Sequence, residues 1–179
     1  MAVLESAGVP RARPGLSFLF AHPAHFIALG FGSGLIRPGP GTWGTICGWL
    51  LYTAFDAVFH PSLALLAAAG VAGLAVGTWA AARAGAALGE EDAGEIVVDE
   101  IIAFWWVLAL AAVLVPDGGR NWAMQAAVFA LFRLFDIFKP APIGAIERRW
   151  RNAAGVMLDD LMAAAYTLLV LILWVNARQ

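Results

Sequence analysis

Arg133-Leu-Phe-Asp136-Ile-Phe-Lys139-Pro140-Ala-Pro142 is followed at short range by Glu147-Arg148-Arg149-Trp150-Arg151 and then by Asp159-Asp160. Apolar sequence flanks this charged segment on both sides. Charge is costly at membrane depth, so it collects at an aqueous boundary or does chemistry. Acids and bases alternate here at helical spacing, unlike a simple basic anchor. Arg133, Asp136 and Lys139 recur every third residue and mark one stripe of a helix, which Pro140 ends.

Composition agrees with a membrane setting. The 179 residues are 61% hydrophobic and 13% charged, with mean hydropathy +0.77, against about 25% charged residues in soluble domains. A net charge of −2 gives no basic face and argues against nucleic acid as a partner. The one cysteine, Cys47, has no internal disulfide partner and reads as a small apolar side chain.

The expected fold is an all-α polytopic membrane helix bundle with about five spans and an N-terminal interfacial helix. The spans are Trp43–Phe59, Ser62–Arg83, Ile101–Val115, Trp122–Phe138 and Leu161–Val175; the interfacial helix is Phe18–Phe31, broken by Pro23. Residues 1–15 read as a retained cytoplasmic arm and residues 16–179 as a single integral-membrane domain. With the arm inside, nine basic residues (11, 13, 37, 83, 133, 139, 148, 149 and 151) fall on the inner face, and only Arg120 and Arg178 fall outside. The same threading brings four distant polar clusters to one mouth of the bundle, where such folds build sites.

Glu90-Glu91-Asp92-Ala93-Gly94-Glu95 leads to Asp99-Glu100 and an apolar run. A helix starting near Glu95 would put Glu95 and Asp99 on one face. The helix dipole accounts for Glu90, Glu91 and Asp92, but poorly for Asp99-Glu100, which already enter the apolar run. The first turn of the last span offers the same dipole account for Asp159-Asp160. Yet two acidic pairs at one depth repel unless a cation lies between them. Asp99, Glu100, Asp136, Asp159 and Asp160 are therefore the candidate catalytic and metal-ligating residues. Carboxylates without His or Cys select a hard ion, Mg²⁺ or Mn²⁺. Arg133 and Lys139 would clamp an anionic group, and the loop Gly32–Thr45 adds Arg37, Thr42 and Thr45 as substrate-binding candidates before a helix N-terminus. His22, His25 and His60 read as packing residues.

Four of these clusters together resemble one family. Gly32-Ser-Gly34-x-x-x-Pro38-Gly39-x-Gly41-Thr42-x-Gly44, Ile96-Val-Val-Asp99-Glu100, Phe132-Arg133-Leu-Phe-Asp136-Ile-Phe-Lys139-Pro140 and Gly155-Val-Met-Leu-Asp159-Asp160 resemble phosphatidylglycerophosphatase A in order and spacing, from about Gly32 to Met162. The resemblance implies a Mg²⁺-dependent phosphatase of the bacterial inner membrane, converting phosphatidylglycerophosphate to phosphatidylglycerol. Three departures stand out: Ala93 where proline is expected, Ala141 in place of an aromatic, and Ala153-Ala154 in place of glycines. None removes a candidate ligand.

The alternative reading is a membrane transporter or channel subunit with an intramembrane charge network. That network should run through mid-span, whereas these charges gather at one face. The long acidic signature of a CDP-alcohol phosphotransferase is not in the sequence, and a scaffold leaves five converging acids without an account. Other phosphatase chemistries lack their marks: no Cys-x₅-Arg follows Cys47, and no histidine lies in the clusters.

Overall fold

The computed structural model describes residues 13–115, 121–141, 143–144, 150 and 152–178. Residues 1–12, Asp117, Arg120, Glu147, Arg148, Arg149 and Arg151 lie outside the described residues. Every element among those described is helical. Two short helices, α1 (Leu16–Ala21) and α2 (Pro23–Ala28), and a 3₁₀ segment (Gly30–Leu35) precede five longer ones: α3 (Pro40–Phe59), α4 (Leu63–Leu88), α5 (Val98–Leu114), α6 (Trp122–Phe138) and α7 (Ala153–Asn176).

α5 is the centre of the bundle. Its sequence is apolar all round after Glu100, and such a helix buries most of its surface; Ile101 to Phe104, Val107 to Ala109 and Ala111 are all buried. α3 and α7 pack against it most extensively, with α4 and α6 completing the ring. Close approach of α3 depends on glycines on the face turned to α5. A Cβ on Gly48 would lie 3.0 Å from the Ile101 backbone, and one on Gly44 only 2.6 Å from Val97 Cβ. Small residues at such crossings let helix backbones meet, the usual device of bundles in lipid.

Two helices, α4 (26 residues) and α7 (24 residues), are long and apolar enough to cross a membrane. Exposed apolar side chains, among them Leu50, Val58, Val71 and Leu173, cover the outer faces of α3, α4 and α7. The described helices thus agree with an all-α protein, whereas clear spanning character is limited to two of the five expected segments. α3, α5 and α6 run 20, 17 and 17 residues, and the last two fall short of the ~20 apolar residues a full span needs.

Several boundaries differ from expectation. The Phe18–Phe31 segment is two helices with a break at His22, whose Nδ1 accepts from Ala24 N at 3.0 Å. Leu19, Ala24, Ala28 and Leu29 are buried and α2 packs on α4, so the segment belongs to the bundle. α5 begins at Val98, not near Glu95: Gly94 and Glu95 lie in a turn closed by Ile96 N donating to Ala93 O at 2.7 Å, and Val97 N donates to Ala28 O at 2.9 Å instead of joining a helix. Glu95 and Asp99 therefore do not share a helical face. α7 begins eight residues before Leu161, capped by Asn152 Oδ1 accepting from Gly155 N at 2.9 Å. Asp159 and Asp160 thus lie well past the first turn, and the helix dipole does not account for them.

Candidate metal centre

Three helices build the site. The first turn of α5 supplies Asp99 and Glu100, the second turn of α7 supplies Asp159 and Asp160, and the C-terminal half of α6 supplies Arg133 and Asp136. One carboxylate oxygen from each of Asp99, Glu100 and Asp160 lies within 4.8 Å of the other two. The three side chains border a cavity of about 100 Å³ that Asp92, Asp136, Lys139 and Asp159 also line. Asp99 Oδ1 accepts from Glu100 N at 3.1 Å.

Glu100 Oε2 and Asp160 Oδ2 are buried without a hydrogen-bond partner. A buried carboxylate oxygen left in that state is strongly disfavoured, and a cation is one of the few groups that satisfies several at once. Only oxygen is offered, with no imidazole or thiolate lining the cavity among the described residues. That donor set suits a hard divalent ion. The residues present therefore fit a metal ion.

Basic groups are held in register with the acids. Arg133 Nη1 lies 2.6 Å from Asp136 Oδ2 and 3.9 Å from Glu100 Oε1. It also donates to Thr45 Oγ1 at 3.3 Å, and Thr45 in turn donates to Gly41 O at 2.8 Å. α6 stops at Phe138; Lys139 takes a left-handed conformation (φ 42°, ψ 60°) ahead of Pro140. That turn swings Lys139 off the expected stripe and puts Nζ 3.4 Å from Asp159 Oδ2.

The five expected acids, Arg133 and Lys139 thus come together. Arg37 and Thr42 do not line the acidic cavity. Arg37 Nη2 instead donates to Glu95 Oε1 at 2.6 Å, and Thr45 is fully buried and reaches the site only through Arg133. Asp92, which the dipole argument had set aside, lines the cavity. The support from Thr45 had one usable signal, its four-residue spacing from Gly41. The Arg37–Glu95 pair had none, since it depends on a loop contact spanning 58 positions.

These features define a class: an all-helical protein with apolar outer faces, carrying at one end a carboxylate centre able to take a metal ion, edged by lysine and arginine. The family model described as Phosphatidylglycerophosphatase A matches residues 26–175, and the chain belongs to that family. It is 38% identical over 149 residues to Phosphatidylglycerophosphatase A of Haemophilus influenzae, covering 83% of this chain and 86% of that protein. The protein of the same description from Escherichia coli is 33% identical over 146 residues, covering 80% and 78%. A Bacteroides thetaiotaomicron protein provisionally described as a phosphatidylinositol-3-phosphatase is 36% identical over 151 residues, covering 81% and 89%. No solved structure matches.

Proposed function

We propose that this protein is a Mg²⁺-dependent phosphatase that hydrolyses phosphatidylglycerophosphate to phosphatidylglycerol and phosphate at the cytoplasmic face of a bacterial inner membrane. In this reading the bundle is multi-pass with about five spans, and its N-terminus is cytoplasmic. The observation that carries the reading is the convergence of Asp99, Glu100 and Asp160, with two buried oxygens lacking partners, in a chain of this family.

Phosphate monoesters hydrolyse very slowly in water, so catalysis must come from positioning and charge neutralisation. Asp99, Glu100 and Asp160 would hold the ion, with Asp136 and Asp159 completing its acidic surroundings. When bound, Mg²⁺ supplies Lewis acidity and neutralises phosphoryl charge. Lys139 is 29% exposed at the rim, placed to bind phosphate oxygens, and Asp159 aims its ammonium. Arg133, only 13% exposed, has less freedom to reach substrate. Its fork fixes Asp136 and sets the position of the Glu100 carboxylate. No thiol or imidazole borders the cavity among the described residues, and with the carboxylates taken up by the ion and the basic groups the attacking group is assigned as water. The apolar outer faces keep the acyl chains in the bilayer while the headgroup enters.

The test is phosphate release from phosphatidylglycerophosphate by purified protein in detergent, with Mg²⁺ and with EDTA, beside Asp160→Asn of unchanged helicity. Release that needs Mg²⁺ and disappears in the variant is expected. Release that persists in EDTA, or no release from this lipid under any divalent ion, would sink the proposal.

A further inference from the structure

A second concave site lies next to the acidic cavity. Arg13, Pro14, Leu35, Arg37 and Glu95 line a cavity of about 150 Å³. Gly94 and Ile96 border the acidic cavity, and Glu95, between them in the chain, borders this one. Glu95 is buried, whereas 46% of the Arg37 side chain is exposed. The short Arg37–Glu95 bond occupies one nitrogen of a guanidinium that has five N–H donors. Arg13, which also lines the cavity, is exposed. By formal charge the described lining, two arginines and one acid, carries one positive charge in excess.

We infer that Arg13 and Arg37 form a second anion site, which takes the phosphodiester of a glycerophospholipid. The inference rests on the proposed function. A phosphodiester carries one negative charge and matches the charge left over in this pocket, whereas a monoester dianion matches it poorly. Guanidinium groups are suited to phosphate because their planar fork meets two oxygens, and basic pockets at the cytoplasmic ends of membrane helices are suited to lipid headgroups. The geometry also suits a single lipid bridging both cavities. Diester and monoester phosphorus atoms in a glycerol-linked headgroup are six bonds apart, a reach of roughly 7 Å, the length of two peptide units. Substrate recognition then reads two phosphates: the monoester at Lys139 and the acids, the diester at Arg13 and Arg37.

Steady-state kinetics of Arg13→Gln, Arg37→Lys and the double Arg13→Gln/Arg37→Gln variant test this in mixed micelles. Arg13→Gln leaves the Arg37–Glu95 pair intact and guards against a simple folding defect. KM for phosphatidylglycerophosphate should rise about tenfold in Arg13→Gln and more in the double variant, with kcat within about twofold of wild type. Arg37→Lys, which keeps the charge, should raise KM less than the double variant does. If KM rises in micelles lacking other phospholipid, the diester is the substrate's own. If wild type is instead activated by added phosphatidylglycerol and the variants lose only that activation, the diester belongs to a neighbouring lipid. Unchanged KM and unchanged activation in both Arg13→Gln and the double variant would overturn the inference. Native mass spectrometry of phosphatidylglycerol binding reads the same site without turnover. Bound lipid should fall in the double variant; equal occupancy there would overturn the inference even if wild type proved inactive on the proposed substrate.

Discussion

Gly41→Ala separates the site from the scaffold that carries it. Gly41 lies in the first turn of α3, in ordinary helical conformation, where alanine is intrinsically favoured over glycine by up to about 1 kcal/mol. A Cβ there would overlap Glu100 Oε1 and lie 3.1 and 3.2 Å from the terminal nitrogens of Arg133. Both obstacles are tips of flexible side chains, so the backbone need not move. The Glu100 carboxylate must shift by about an ångström, a displacement worth about 100-fold in rate when it misplaces a catalytic group. That corresponds to about 2.7 kcal/mol of lost transition-state stabilisation. We expect kcat to fall about 100-fold while the unfolding temperature stays within about 4 °C of wild type. Gly44→Ala is the contrast. Its Cβ meets Val97 Cβ at 2.6 Å and Val97 O at 3.1 Å, atoms fixed to the backbone, so overpacking should cost about 1–3 kcal/mol of stability. The assays are Mg²⁺-dependent phosphate release and thermal unfolding of both variants in one detergent. A Gly41→Ala protein with wild-type turnover would refute the reasoning, because Glu100 could then move without consequence.

Three further outcomes follow from the same geometry. Thr45→Val removes the hydroxyl that accepts from Arg133 at nearly constant shape; losing that support should lower kcat about tenfold, leaving KM near wild type, as a kinetic split will show. Lys139→Ala removes the rim ammonium beside Asp159 and should raise KM at least tenfold, which substrate titration in mixed micelles will measure. Mg²⁺ at about 100 times its Kd should stabilise the fold by about 2.7 kcal/mol; thermal scans should show EDTA reversing that gain and Asp99→Asn lacking it.

Much of the site was legible because of what surrounds it. Asp99-Glu100, Asp136 and Asp159-Asp160 stand out from an apolar chain, where unsupported charge is disfavoured, and the structure brings all five to one cavity. The Lys139-Pro140 step marked the end of α6, although the left-handed turn at Lys139 that carries it to Asp159 depends on tertiary contacts. Glycines of the Gly32–Thr45 segment read from sequence as an anion loop, yet Gly44 serves to seat α3 against Val97, and Gly41 makes room for Glu100 and Arg133. The onset of α5 was misplaced because the turn at Gly94 and Glu95 and an inter-element hydrogen bond, Val97 N to Ala28 O, override the local acidic signal. Asp92 lines the cavity through loop geometry that no periodicity encodes.

The central claim is that Asp99, Glu100 and Asp160 together hold a divalent cation. Equilibrium binding of Mn²⁺, followed by electron paramagnetic resonance on wild type and Asp160→Asn, tests it most directly, because it needs neither substrate nor turnover. The account predicts saturable binding to wild type that Mg²⁺ displaces, weakened at least about 100-fold in the variant. Equal Mn²⁺ affinity in the two proteins, or no saturable binding to wild type, would contradict it.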